Sequence, residues 1–184
     1  MQVFLMPADR DVIPQELALE GKKCVEVGSY LGEYAKHILA SNPAELWMID
    51  PWEKQPSSIY PKDDYGNGEL YDMDLVYGHV MANFGKDPRV KILREKSFSA
   101  ATKFSDVSMD FVYIDAIHTF ESCLMDMTTW FPKVAHGGWF CGHDYNGRFL
   151  GVRQAVDTFC RLTGQSLNLL TKEPEWATWG IRKA

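Results

Sequence analysis

Two short segments each place an imidazole beside a carboxylate. Y-I-D-A-I-H at 113–118 carries Asp115 and His118, and C-G-H-D-Y at 141–145 carries His143 and Asp144. Aspartate oxygens are hard donors, and two of them can begin a cradle for a divalent cation. An imidazole adds a nitrogen donor, or a base that titrates near neutral pH. Asp115, Asp144 and His143 are therefore the candidate metal ligands, and a nitrogen among them tilts preference from magnesium toward manganese. His118 is the candidate general base, with Asp115 beside it in the catalytic pair. A plainer reading stays open for each. An aspartate that ends a strand serves many enzymes without a metal, and a histidine three residues on can simply hydrogen-bond to it. Successive strand residues face opposite sides, so His143 and Asp144 can act together only if the backbone turns there. His37, His79 and His136 have no partner motif and read as surface or packing residues.

A second constellation lies near the start, E-V-G-S-Y-L-G at 26–32, followed by Asp50. Glycine lets a chain turn sharply and approach a ligand closely. The spacing is GxxxG, not the GxGxxG that seats a pyrophosphate on a helix N-terminus. Glu26 precedes the first glycine and Asp50 follows, so two carboxylates flank the turn. They suit a cationic ligand that carries a ribose, and S-adenosylmethionine meets that description with a sulfonium, an ammonium and a ribose diol. Asp50 would accept from the ribose hydroxyls.

Short β-rich runs at 23–27, 46–50, 89–93, 110–115 and 138–143 alternate with helical patterns at 31–40, 69–84, 99–104, 120–134 and 152–162. A leading helix is expected within 11–20, the Gly137-Gly138 pair reads as a turn before the fifth run, and the runs at 166–170 and 177–181 read as a hairpin with no helix between them. Alternation of this kind predicts an α/β, Rossmann-like three-layer sandwich around a mostly parallel sheet. Such sheets bind ligands beyond the carboxyl ends of their strands. Glu26, Asp50, Ser97, Asp115 and Asp144 all fall at or just past those ends. Residues 51–85 mix prolines, aspartates and aromatics and read as a substrate lid or an insertion.

The chain has 184 residues, 46% apolar and 24% charged, with 19 basic against 25 acidic side chains and a net charge of −6. That balance suits one globular domain and offers no basic footprint for nucleic acid. No apolar run approaches the roughly 18 residues of a membrane helix, and residues 1–7 do not read as a secretory signal. Cys24, Cys123, Cys141 and Cys160 sit in apolar stretches without CxxC spacing, which reads as free thiols and a cytoplasmic setting.

The E-V-G-S-Y-L-G turn, M-I-D-P-W at 48–52, Y-I-D-A-I-H and G-G-W-F-C-G-H-D-Y at 137–145 together resemble class I S-adenosylmethionine-dependent methyltransferases. More narrowly, they resemble the small-molecule O-methyltransferase group that includes macrocin and catechol O-methyltransferases. The likeness runs from about Lys22 to the C-terminus. It implies a seven-stranded sheet with an antiparallel last strand, and methyl transfer to a hydroxyl of a small molecule assisted by magnesium or manganese. It also implies dimers or larger assemblies. By this resemblance Glu26, Gly28, Ser29, Tyr30 and Gly32 line the methionine and ribose side of the cofactor. Asp50 holds the ribose, Asp115 closes the site, and Ser97 and Phe98 contact adenine. Trp52 packs either on the cofactor or in the core. His118 stands where the group carries a basic residue that abstracts the proton. Two departures stand out: Glu95 and Lys96 precede Ser97 where the group often has glycine, and His143 replaces a residue that is often acidic. Two rivals remain, a nicotinamide-dependent oxidoreductase, which the missing GxGxxG disfavours, and a catalytically silent binding module.

Overall fold

The computed structural model describes residues 9–55, 72–171 and 177–184. Seven strands form one sheet: β1 (Lys23–Val27), β2 (Glu45–Asp50), β3 (Val90–Arg94), β4 (Met109–Ile114), β5 (Val134–Gly142), β6 (Asn168–Leu169) and β7 (Trp179–Arg182). Their order is β3-β2-β1-β4-β5-β7-β6. The first five are parallel, and β7 runs antiparallel to both β5 and β6. The expected doubly wound sandwich with an antiparallel last strand is therefore present. The chain enters at the centre, winds outward to β3 and then returns to β4. This leaves a switch point between β1 and β4, where Val27 pairs with Ile114.

Alternation along the strands feeds two cores. Val25, Val27, Val112 and Ile114 point to one face and pack with α4 (Ser97–Ala101), α5 (Phe120–Trp130) and α6 (Leu150–Thr163). Cys24, Phe111 and Tyr113 point to the other and pack with α1 (Ile13–Glu16), α2 (Glu33–Ala40) and α3 (Met73–Phe84). Each fully buried Val, Ile or Phe on these faces contributes roughly 1.5–3 kcal/mol. The four cysteines are free thiols. Among the described residues, no helix is long and apolar enough to cross a membrane.

Local chemistry explains where the elements depart from expectation. The helix expected from residue 31 starts at Glu33, because Tyr30 and Gly32 take left-handed backbones with φ of 44° and 78°. The leading helix is only a 3-10 turn at Arg10–Val12 followed by α1, and Ala18 at φ 54° ends it. Pro132 stops α5 at Trp130, leaving a 3-10 turn at Phe131–Lys133. The Gly137-Gly138 pair, read as a turn before the fifth strand, lies inside it. Gly137 at φ 77° lets β5 bulge and continue from Val134. Within 51–85, α3 buries Val76, Val80 and Phe84 in the core. Tyr60, Tyr65 and Tyr71 of the expected lid lie outside the described residues.

Candidate active site

The turns after β1 and β2 are clasped by one carboxylate. Asp50 Oδ2 accepts the Tyr30 backbone N–H at 3.0 Å, and Oδ1 accepts that of Trp52 at 2.7 Å. The Trp52 indole N–H in turn donates to the Tyr30 carbonyl at 2.8 Å. Tyr30 and Trp52 both hold positive φ, 44° and 43°, a strain of order 1 kcal/mol or more at each residue that these bonds maintain. Burial raises the Asp50 pKa, and the two amides oppose the rise. The Trp52 ring is buried in the core against Tyr77, so of its two expected roles it takes packing.

Beside this clasp lies a cavity of about 450 Å³. Gly28, Tyr30, Asp50, Ser97, Phe98, Asp115, His118 and Asp126 are among the residues that line it. Gly28 has φ 89°, and a Cβ there would lie 2.0 Å from the Asp115 backbone oxygen, so only glycine lets the first turn touch the end of β4. Ser97 opens α4, but its hydroxyl is engaged below the cavity: it donates to Asp126 Oδ1 and accepts the Trp130 indole N–H at 2.9 Å.

Three residues expected at the cofactor lie just behind this wall. Gly32 caps α2, and a Cβ there would meet the Phe84 ring at 2.4 Å. Ser29 is buried, its hydroxyl 3.4 Å from the Glu26 carbonyl oxygen. Glu26 is 2% exposed. Its Oε2 has no hydrogen-bond partner among the described residues. Burial pushes its pKa up to about 8, against the pull of the Ser29 hydroxyl and of Arg10. An unpaired buried carboxyl beneath the glycine turn fits an incoming ammonium or a bridging water.

On the β4–β5 side the charged groups converge. His118 Nε2 lies 3.1 Å from Asp144 Oδ2 and 3.6 Å from Asp115 Oδ1. His143 Nδ1 lies 3.2 Å from Asp144 and 4.0 Å from Asp115. Asp144 has φ 61°, which supplies the backbone turn that lets both it and His143 face this cluster. Burial alone would lower the His118 pKa, but hydrogen bonds to Asp115 and Asp144 raise it to about 9. Asp144 is held far below the usual carboxylate range by the two imidazoles, despite burial. Asp115 is lowered as well, against burial, by His118 and Arg10. Ligand atoms of Asp115, His118 and Asp144 come within 4.8 Å of one another, so the metal-compatible set contains His118 as well as the two aspartates.

Sequence reasoning missed two residues. Arg10 reaches Asp115 Oδ2 at 2.7 Å, lying over the rings of Tyr34 and Tyr113. It carries no motif, and only tertiary packing brings it here. Asp126 does leave a trace, as a lone acid within L-M-D-M one helical turn before Trp130, the pattern of a carboxylate on a buried helix face.

The comparisons bear on the family and the fold. The methyltransferase-domain family matches residues 25–145. No curated protein sequence matches the chain. Among solved structures, a protein from Corynebacterium glutamicum superposes with a TM-score of 0.66 at 14% identity, over 98% of this chain and 83% of that one. Spermidine synthase from Thermotoga maritima gives 0.61 at 13%, over 96% and 58% of the two chains. The O-methyltransferase NovP gives 0.61 at 17%, over 95% and 76%. At these identities the likeness is one of fold. With the family match spanning most of the sheet, from the glycine turn through the Asp144 turn, the chain belongs to the methyltransferase-domain family and is a class I S-adenosylmethionine-dependent methyltransferase.

Proposed function

We propose that this enzyme methylates a hydroxyl group of a small molecule. One observation carries the reading: Asp115, His118 and Asp144 stand together at the end of β4, where the cavity meets the switch point. A hydroxyl is a weak nucleophile until its proton is removed, whereas a neutral amine attacks with its own lone pair. The fold does not choose the acceptor, since a spermidine synthase and an O-methyltransferase share it; the histidine and its carboxylates favour oxygen.

In this reading Asp50 receives the ribose and Glu26, through the turn at Gly28 to Tyr30, the ammonium. Ser97 and Phe98 border the adenine, and Asp115 faces the sulfonium. His118, its ring fixed by Asp115 and Asp144, takes the hydroxyl proton when it is in its neutral form. That form is a minority at neutral pH while the His118 pKa stands at about 9, so turnover rises with pH toward that value. Methyl transfer is then an in-line displacement, with the hydroxyl oxygen, methyl carbon and sulfur aligned. Asp115, Asp144 and a histidine also fit a divalent cation. Ligand atoms of Asp115, His118 and Asp144 lie within 4.8 Å of one another, and His143 stands beside the same two aspartates, so these side chains would hold such an ion. His143 would supply the nitrogen and leave His118 for the proton. A bound cation supplies Lewis acidity that lowers the pKa of the hydroxyl. One observation favours a metal-free version: Arg10 already brings a positive charge to Asp115.

Of the segment 51–85, Pro51, Glu53, Gln55 and Met73 line the cavity, which supports a role for it in acceptor binding. Free thiols and a net charge of −6 fit a cytoplasmic enzyme without a nucleic-acid partner, and a homo-oligomer fits the same resemblance. The test is a methyl-transfer screen of phenols, sugars and amines with S-adenosylmethionine. It is run with added Mg²⁺ or Mn²⁺ and again in EDTA. Turnover of a hydroxyl acceptor that falls in EDTA and returns with the ion supports the metal-assisted reading. Undiminished turnover in EDTA supports the metal-free one. Exclusive turnover of amines overturns the hydroxyl assignment.

A further inference from the structure

We propose that Asp126 is the residue that reads the 6-amino group of the cofactor's adenine. The inference rests on the reading above that S-adenosylmethionine occupies the 450 Å³ cavity. With the ribose at Asp50 and the sulfonium near Asp115, the base lies toward Ser97, Phe98, Met125 and Asp126.

Among the described residues five carboxylates line this cavity: Asp50, Glu53, Glu95, Asp115 and Asp126. Four of them meet a cation or amides. Asp50 accepts from two backbone N–H groups. Glu53 lies 3.5 Å from Lys96. Glu95 lies 2.9 Å from Lys103 through Oε1, while its Oε2 is buried with no hydrogen-bond partner among the described residues. Asp115 pairs with Arg10 and His118. Asp126 has neither kind of partner among the described residues. Its side chain accepts from the Ser97 hydroxyl at Oδ1, which leaves Oδ2 unengaged on a residue that lines the cavity.

The Ser97 hydroxyl cannot do this job. It has one proton, which goes to Asp126, and it also accepts from Trp130. A carboxylate only accepts, so the ligand group opposite Oδ2 must donate. Adenine has one such exocyclic group, the 6-amino. The rim suits a flat base as well: Phe98 is 58% and Met125 50% exposed, and both line the opening. Their apolar faces remain in water until a planar ring covers them. Burial pushes the Asp126 pKa up to about 6, against the pull of Ser97. A donor arriving at Oδ2 relieves that penalty, since buried carboxylates are stabilised by the hydrogen bonds they accept.

The experiment compares S-adenosylhomocysteine with its analogue that has purine in place of adenine, and so lacks the 6-amino group. Both are titrated calorimetrically into the wild-type protein and into Asp126→Asn. Wild type should prefer the amino form by about 10-fold to 100-fold, the scale of one hydrogen bond to a buried charged acceptor. In Asp126→Asn, Ser97 keeps the amide oxygen and turns the NH₂ toward the cavity. The preference should then fall at least 10-fold, because donor meets donor for adenine while N1 of the purine finds a donor. Equal binding of the two ligands by wild type overturns the proposal without any variant, and so does an unchanged preference in a folded Asp126→Asn. If wild type binds neither ligand, the placement of the cofactor in this cavity fails, and the proposal with it.

Discussion

The two ends of the cleft are built on different principles. At the β4–β5 end, Asp115, His118, His143, Asp144 and Arg10 crowd within contact distance, and each sets the protonation of its neighbours. At the β2–β3 end Asp50 is held by two backbone amides, and Glu53 and Glu95 stand in separate pairs with Lys96 and Lys103. The first end can move a proton, because its charges are coupled. The second end can only recognise, because its groups are fixed and its shape is set by packing. The contrast assigns catalysis to one side of Asp115 and affinity to the other.

His118→Ala gives the sharpest cut. Turnover should fall about 10²-fold to 10⁴-fold, the usual worth of a positioned base, while S-adenosylhomocysteine affinity stays within about 3-fold. A parallel collapse of affinity would erase the division. Gly28→Ala lies at the joint between the two ends and should damage both. Its Cβ would meet the Asp115 carbonyl at 2.0 Å on a backbone of φ 89°, so a loss of about 3 kcal/mol or more in a denaturant titration is expected. Wild-type stability in that variant would mean that the two turns do not touch as described.

Glu26→Gln tests the buried carboxyl that underlies both ends. Its pKa rises from an ordinary 4.5 to about 8 in the folded protein. Between those values the native state keeps a proton that the unfolded chain has released, so stability falls as pH rises through the window and levels off above it. The variant lacks this penalty. Relative to wild type it should be about equal at pH 4 and more stable by on the order of 4 kcal/mol at pH 8, seen as a widening gap in Tm. The smallest effect belongs to Asp50→Asn, which keeps one acceptor oxygen for the clasp. Cofactor affinity should weaken about 10-fold, with kcat at saturating cofactor nearly unchanged. A kcat loss matching that of His118→Ala would contradict the proposed separation.

Much of this was legible in the sequence, and particular residues show why. Strand runs such as 23–27 and 110–115 are short, apolar and followed by glycine or a carboxylate, so the alternation and the sheet class followed from pattern alone. The Asp115, His118 and Asp144 grouping was legible because all three sit at strand ends that the topology must bring together. What periodicity misses is direction. It could not show that Ser97 points down to Asp126 and Trp130, or that Gly32 serves the packing of Phe84. Nor could it place Arg10, whose partner Asp115 lies 105 residues further along the chain. The Gly137-Gly138 pair misled for a related reason: glycine marks a turn and a bulge with the same letter, and only strand pairing tells them apart.

The clasp at Asp50 has an energetic corollary. Two amides already hold its rotamer, so a diol that docks there finds its acceptor in place and freezes no side chain on arrival. On the proposed placement of the ribose, capture of the donor nucleoside at this end would need no rearrangement of the floor, and the cost of ordering would fall on the groups at the opposite wall.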